Sequence, residues 1–223
     1  MNPLRSFAAL ATLLLVAPLA QAKKAPPFDL GAWLAAGEGK AVEVITWEAG
    51  APSLFTPGDA VGGGVIDAMT KPAPGQEPLP DAALILRDKL IERLAPVSKA
   101  RLQRRDPPLK PKVARKPEQI RELSDSDYVL TVSMWVSAIT YRPTQWATYY
   151  YWDMIDVQLF DNKEGKLLFR YREKYKPEAE DADMHFNNEE FGVNGGQRIR
   201  DVIATSIQRS VDKMMTDLHV PSP

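Results

Sequence analysis

The fold is decided by residues 127–141, DYVLTVSMWVSAITY, which carry the strongest strand pattern in the sequence. Apolar and hydroxyl side chains alternate there, with Leu130 and Val132 set against Thr131 and Ser133. Because successive side chains of a strand point to opposite faces of its sheet, this alternation predicts a strand with one buried face.

The next two stretches alternate in the same way. Strands are predicted at residues 148–160, TYYYWDMIDVQLF, and at residues 166–175, KLLFRYREKY. The segment between them, DNKEG at 161–165, predicts a tight hairpin, since Gly165 can adopt a positive φ. Consecutive strands joined by short connections favour an antiparallel meander with one buried and one polar face.

Two helices are predicted from apolar residues at three- and four-residue spacing. The first covers residues 81–94, with Pro80 before it and Asp81 at its N-cap, and the second covers about 197–218. A further strand is predicted at 41–47, AVEVITW. Because an amphipathic helix buries its apolar stripe best on a sheet, this order predicts an α+β sandwich: an antiparallel-rich sheet of four to five strands with the two long helices on one face.

The amino terminus, MNPLRSFAALATLLLVAPLAQA, has the three regions of a secretory signal peptide. Arg5 supplies positive charge, residues 7–20 are apolar, and Ala20-Gln21-Ala22 has the small-x-small form of a cleavage site. The apolar run is shorter than the roughly 20 residues that a membrane-spanning helix needs, although an uncleaved anchor is an alternative. We therefore expect a signal peptide over 1–22, cleavage near Ala22 and a periplasmic or secreted protein.

The remaining chain predicts one domain. Residues 23–40 contain Pro and Gly and predict a tether with a short helical turn around Trp33, and residues 41–223 predict a single α+β sandwich domain. Within that domain the segment 99–121 is rich in Pro, Lys and Arg. It could be a solvated linker, contact an anionic partner, or pair with the acidic segment 177–190 of the same chain.

Composition excludes several classes of function. The 223 residues include 28 Lys+Arg, 29 Asp+Glu and no Cys. A near-zero net charge argues against a nucleic-acid partner. The lack of Cys removes disulfides, thiolate metal sites, cysteine nucleophiles and attachment of lipid to an N-terminal Cys. No Gly-x-Ser-x-Gly, His-Glu-x-x-His or Walker pattern occurs, so a non-enzymatic protein without a cofactor is favoured.

Three short motifs carry a family resemblance. Residues 62–68, GGGVIDA, residues 127–130, DYVL, and residues 141–146, YRPTQW, resemble uncharacterised secreted proteins and lipoproteins of Gram-negative bacteria. The predicted order of elements also resembles the α/β sandwich of penicillin-binding-protein activator lipoproteins and of the amino-terminal domain of TolB. The resemblance implies this fold and an envelope location.

The glycines at 62–64 predict a tight turn or close helix packing, with an anion site at a helix start as the alternative.

Aromatic residues concentrate around the connection between the two longest predicted strands. Alternation sends Tyr149 and Tyr151 to one face of the sheet and Tyr150 and Trp152 to the other. Exposed aromatic side chains mark binding surfaces, because Tyr and Trp bury a large area at a small entropic cost. The candidate interaction surface comprises Trp146, Tyr150, Trp152, Tyr141 and Arg142. Its partner would be another envelope protein or peptidoglycan, and packing of these rings in the core is the simpler alternative.

A second hypothesis comes from the acidic segment. Asp181, Asp183 and His185 are spaced by two, and carboxylates with an imidazole can hold Ca²⁺ or a transition metal. A solvated acidic loop is the simpler interpretation. The alternative function is therefore a small-ligand or metal-binding envelope protein, or a hydrolase that uses His185.

Trp146 falls where the alternation lapses, so the sheet pattern does not require its burial. We predict that Trp146→Ala weakens partner binding by about 2 kcal/mol with little change in melting temperature. Binding assays and thermal melts of the variant test this. Unfolding of the variant would instead place Trp146 in the core.

Overall fold

The structure is a computed structural model that describes residues 28–55, 78–110, 116–142, 145, 148–178, 181–187, 190 and 196–221. Its helices are α1 (Leu30–Ala35), α2 (Ala82–Leu94), α3 (Pro117–Arg121) and α4 (Gln197–Asp217). Its strands are β1 (Ala41–Thr46), β2 (Ser53–Phe55), β3 (Arg101–Arg104), β4 (Tyr128–Tyr141), β5 (Thr148–Asp161), β6 (Lys166–Tyr175) and β7 (His185–Asn187). The predicted signal peptide at 1–22, the glycines at 62–64 and Trp146 lie outside the described residues.

One sheet joins the described strands in the order β3-β1-β4-β5-β6, with β2 beside β4 and β7 beside β5. Strands β4, β5 and β6 form the predicted antiparallel meander. The prediction of an antiparallel-rich sheet of four to five strands was wrong, because β1 pairs in parallel with both β3 and β4, and β2 also pairs in parallel with β4. The physical reason is the crossover: α2 lies between β1 and β3 in the chain, and a helical connection returns the chain in the same direction.

A β-bulge interrupts the long pairing of β4 with β5. The register shifts between Met134 and Val136, with Trp135 at the bulge. Before the bulge, even-numbered residues of β4 face the helices; after it, odd-numbered residues such as Ile139 face them. Simple alternation therefore predicts the wrong face for the end of β4, since a bulge adds one residue to one strand only.

The two main helices pack on the same face of the sheet. Asp81 caps α2 as predicted, since its Oδ1 accepts a hydrogen bond from the Ala83 amide. Of the two helices predicted to be long, only α4 is, with 21 residues against 13 in α2. Buried side chains of both helices share one apolar core with Val132 and Val157 of the sheet.

The opposite face of the sheet carries a second, smaller apolar cluster. This cluster joins Ile120 of α3 to Ile45 and Phe160.

Part of the predicted tether belongs to the folded domain, because α1 buries Leu30 and Leu34 in the main core.

One carboxylate lies inside the main core. Asp153 of β5 is fully buried, and its two oxygens accept hydrogen bonds from Ser206 (2.6 Å) and Ser210 (2.9 Å) on α4. Burial raises the pKa of Asp153 to about 6, although both hydroxyl contacts lower it. The charged form of this carboxyl therefore costs the folded state free energy at neutral pH.

The pH dependence of Asp153 can be tested with Asp153→Asn. Since the folded pKa of about 6 exceeds the ordinary value of 3.8, the free energy of unfolding falls as pH rises between these values. The loss is about 3 kcal/mol, from roughly two pH units at about 1.4 kcal/mol each. Asp153→Asn should be the more stable protein above pH 6, and its advantage should shrink towards pH 4. Urea unfolding at several pH values measures this, with the exposed Asp125→Asn as control. An advantage that is the same at both ends of the range would contradict the assignment.

Candidate functional site

The candidate site lies on the face of the sheet that points away from α2 and α4. It is formed by β4, β5, β6 and the residues just after β6. Aromatic rings from β4 and β5 lie there beside cationic side chains from β6 and Lys176. We call this surface the cation–aromatic face, and it comprises Trp135, Thr140, Tyr150, Trp152, Arg170, Arg172, Lys174 and Lys176. Trp135 is 37% exposed, an unusual position for a tryptophan.

A buried carboxylate organises one half of this face. Asp156 is fully buried and accepts two hydrogen bonds from Arg170, at 3.0 and 2.6 Å, and one from Arg172, at 3.1 Å. Burial would raise the pKa of Asp156, but the hydrogen bonds and charges of the two arginines outweigh it and lower that pKa. The Arg172 guanidinium lies 3.8 Å from the centre of the Trp135 ring. Asp156 thus holds two half-exposed guanidinium groups in fixed positions beside an aromatic ring.

Lysines line the other half. The Lys174 ammonium lies 4.9 Å from the Trp152 ring and the Lys176 ammonium lies 5.5 Å from the Tyr150 ring. Trp152 is fixed by a 2.9 Å hydrogen bond from its Nε1 to Thr140 Oγ1. These five side chains line an open cavity of about 310 Å³. Neither ammonium has a carboxylate partner among the described residues.

Arg142 and His185 meet at the β7 end of the same face. His185 pairs in register with Tyr150, and its Nε2 lies 2.5 Å from an Arg142 guanidinium nitrogen. Since the guanidinium can only donate, Nε2 accepts, which requires a neutral imidazole. Burial and then the Arg142 charge lower the pKa of His185, against the opposing charges of Asp181 and Asp183.

The remaining predicted residues lie elsewhere. Tyr141 faces the main core, where its ring packs edge-on against Tyr149 at 5.6 Å. The expected division of the tyrosines holds, because Tyr149 and Tyr151 are buried while Tyr150 and Trp152 are partly exposed. The structure therefore brings Tyr150, Trp152 and Arg142 to one face and takes Tyr141 to the other.

The acidic residues are held by α4. Arg209 donates to Asp183 at 2.8 Å and to Asp181 at 3.3 Å, while Arg198 donates to the backbone oxygens of Asp183 and His185. Within the described ranges no group of three His, Asp or Glu side chains converges to hold a metal ion. The carboxylates thus anchor the segment to the helix, and the metal hypothesis gains no support from this geometry.

A larger and more polar cavity of about 740 Å³ lies at the β1–β3 edge. Two of its charged side chains pair with each other: Arg105 lies 3.6 Å from Glu43, which also accepts a hydrogen bond from Ser124. The basic segment pairs with local acids as well, for example Arg104 with Asp106 at 2.5 Å. The cation–aromatic face is therefore the stronger candidate for an external ligand.

Several residues of this face escaped the sequence analysis. In the sequence, Arg170, Arg172 and Lys174 have the pattern of an ordinary solvated strand face, and Asp156 is one more polar residue of an alternating strand. Their signal was three cations at alternate positions of β6, next to a strand that carries Asp156. Recognising it requires the β5–β6 register, which places Arg172 opposite Asp156.

Comparisons with known proteins give a partial likeness of fold. No family model matches the sequence, and no match to it was found among curated proteins. The chain is similar to protein XCC0632 from Xanthomonas campestris (12% identity, 82% of this chain and 90% of that chain, TM-score 0.33). It is also similar to the hypothetical protein CT253 from Chlamydia trachomatis (10% identity, 82% of this chain and 99% of that chain, TM-score 0.38). A further similar structure is lipoprotein GNA1162 from Neisseria meningitidis (12% identity, 79% of this chain and 99% of that chain, TM-score 0.30).

One of these neighbours is a lipoprotein. The likeness to penicillin-binding-protein activator lipoproteins and to TolB stays a prediction. At such identities and TM-scores the neighbours indicate no ligand, activity or assembly for this chain. No helix among the described residues is long and apolar enough to cross a membrane.

The contact between Arg142 and His185 predicts an unusual titration. The pKa of His185 should lie below its ordinary value of 6.5, so its neutral form supports the fold above pH 6.5 and that support is lost as pH falls through the lowered pKa. Arg142→Ala should raise the pKa only in part, since burial is the larger cause. NMR titration of the imidazole protons measures both values, with the exposed Arg101→Ala as control. A His185 pKa above 6.5, or one that Arg142→Ala leaves unchanged, would refute this account.

Proposed function

We propose that this chain is a non-enzymatic protein of the bacterial envelope that binds another envelope protein or the cell wall through its cation–aromatic face. The observation that carries the proposal is the composition of that face. It presents three aromatic rings and four cationic side chains, with the carboxylate of Asp156 beneath two of the cations.

The aromatic rings supply contact area whose position is already set. Trp152 is held by Thr140 and Trp135 lies against the Arg172 guanidinium, so little side-chain entropy remains to be lost on binding. Interface residues with the largest binding contributions are enriched in Trp, Tyr and Arg, the residue types present on this face.

The cations determine the chemistry of the partner. Lysine or arginine lies over each aromatic ring of the face, so the outermost groups are ammonium and guanidinium groups. Such a surface attracts carboxylates or phosphates and favours rapid association with an anionic partner. The predicted signal peptide supports a partner in the envelope.

The proposal is tested by capture from cells. The full-length protein is crosslinked in intact cells, its partners are identified, and its cosedimentation with purified peptidoglycan is measured in parallel. We expect one of these to recover a partner at low salt and to lose it at high salt. If neither recovers one, the proposal fails.

Trp152→Ala should weaken capture or cosedimentation about tenfold, equivalent to about 1.4 kcal/mol, because a positioned aromatic contact is removed. Its melting temperature should change little, since Trp152 is partly exposed. Trp33→Ala is the matched control: Trp33 also has a lysine over its ring, Lys40 at 4.4 Å, but packs against the main core. That variant should lose stability and keep binding. The reverse pattern would show that the face is not the binding surface.

A further inference from the structure

Within the described part of the chain, β6 is an edge strand of the sheet. Strand β6 ends the path of the sheet and pairs with β5 on one side only. No backbone partner lies along its other side among the residues that the structure describes. An edge of this kind presents a row of N–H and C=O groups to which an extended chain can add as a further strand.

The cations of the face run along this edge. Arg170, Arg172 and Lys174 occupy alternate positions of β6 and point to the same side of the sheet. Their spacing is about 7 Å, twice the rise per residue of a strand. An extended peptide that carries an acidic residue at every second position has negative charges at the same spacing.

The row differs between its two ends in the carboxylate partners that the described residues provide. Arg170 and Arg172 share the buried carboxylate of Asp156, whereas Lys174 has no carboxylate partner among the described residues. An acidic side chain directly across from a cation on a neighbouring strand contributes stabilisation, and a like charge there is destabilising.

We infer that the outer edge of β6 binds an extended acidic segment of a partner protein, which adds to the sheet as an eighth strand. The inference rests on the proposed function and names the chemistry of its partner. Backbone hydrogen bonds to β6 supply affinity, and alternate Asp or Glu side chains opposite Arg170, Arg172 and Lys174 supply specificity. A second copy of β6 is disfavoured, because its own Arg and Lys would lie against these cations.

The experiment uses a labelled nonapeptide of alternating glutamate and threonine, with binding to the full protein followed by fluorescence anisotropy. A peptide of the same composition with its glutamates clustered tests the spacing. Two further peptides are N-methylated, one at every glutamate and the other at every threonine. Because backbone amides of a strand alternate in direction, only one of these two blocks pairing with β6.

We expect the alternating peptide to bind at least tenfold more tightly than the clustered one, and only one of the N-methylated peptides to lose binding. Lys174→Glu should weaken binding at least tenfold and Lys174→Arg should preserve it. Lys99→Glu makes the same charge change at an exposed position far from β6 and should stay within twofold. Circular dichroism and thermal melts establish that each variant is folded.

Absence of binding by the alternating peptide overturns the inference, as does binding that is insensitive to spacing and to both N-methylations. Tighter binding of an oligothymidylate that displaces the peptide would also overturn it, in favour of a nucleic-acid strand. The proposed function fails separately: if capture from cells depends on Trp152 while the peptide does not bind, the face binds a partner but β6 does not add a strand.

Discussion

The antiparallel pairing of β4 with β5 is the centre of the sheet, and the other described strands join it directly or through a neighbour. Each strand has 14 residues, and their ladder runs from Tyr128 opposite Asp161 to Tyr141 opposite Tyr149. Strands β1 and β2 attach to β4, whereas β6 and β7 attach to β5. Because side chains alternate between faces, this one register decides which residues meet the helices and which form the opposite surface.

Strand β5 carries two buried carboxylates that lie on opposite faces and are stabilised differently. Asp153 faces α4 and has only serine hydroxyls for partners, so burial raises its pKa; Asp156 faces the other way, where two arginines lower its pKa. The first carboxylate favours a proton at mildly acidic pH. The second stays charged and organises the cations of the proposed binding surface. Asp153 and Asp156 are three residues apart, and an odd separation along a strand places two side chains on opposite faces of the sheet.

The candidate site was predictable only in part. Local alternation placed Tyr150 and Trp152 on one face, and the structure has them partly exposed there. Tyr141 could not be placed in this way, because the bulge at Trp135 reverses the alternation before it. The cations of β6 depend on a partner strand: without the β5–β6 register, Arg172 cannot be assigned to Asp156.

The sequence by itself determined the local elements, since the meander strands and both main helices follow from side-chain periodicity and from signals such as Asp81 at an N-cap and Gly165 at positive φ. Periodicity depends only on neighbours along the chain. The tertiary structure decided the parallel pairing of β1, the burial of α1 and the fate of Asp181 and Asp183, which bind Arg209. These contacts link residues that are far apart in the sequence. Strand register and ion pairing over such distances do not affect the side-chain periodicity of a single segment, so periodicity could not predict them.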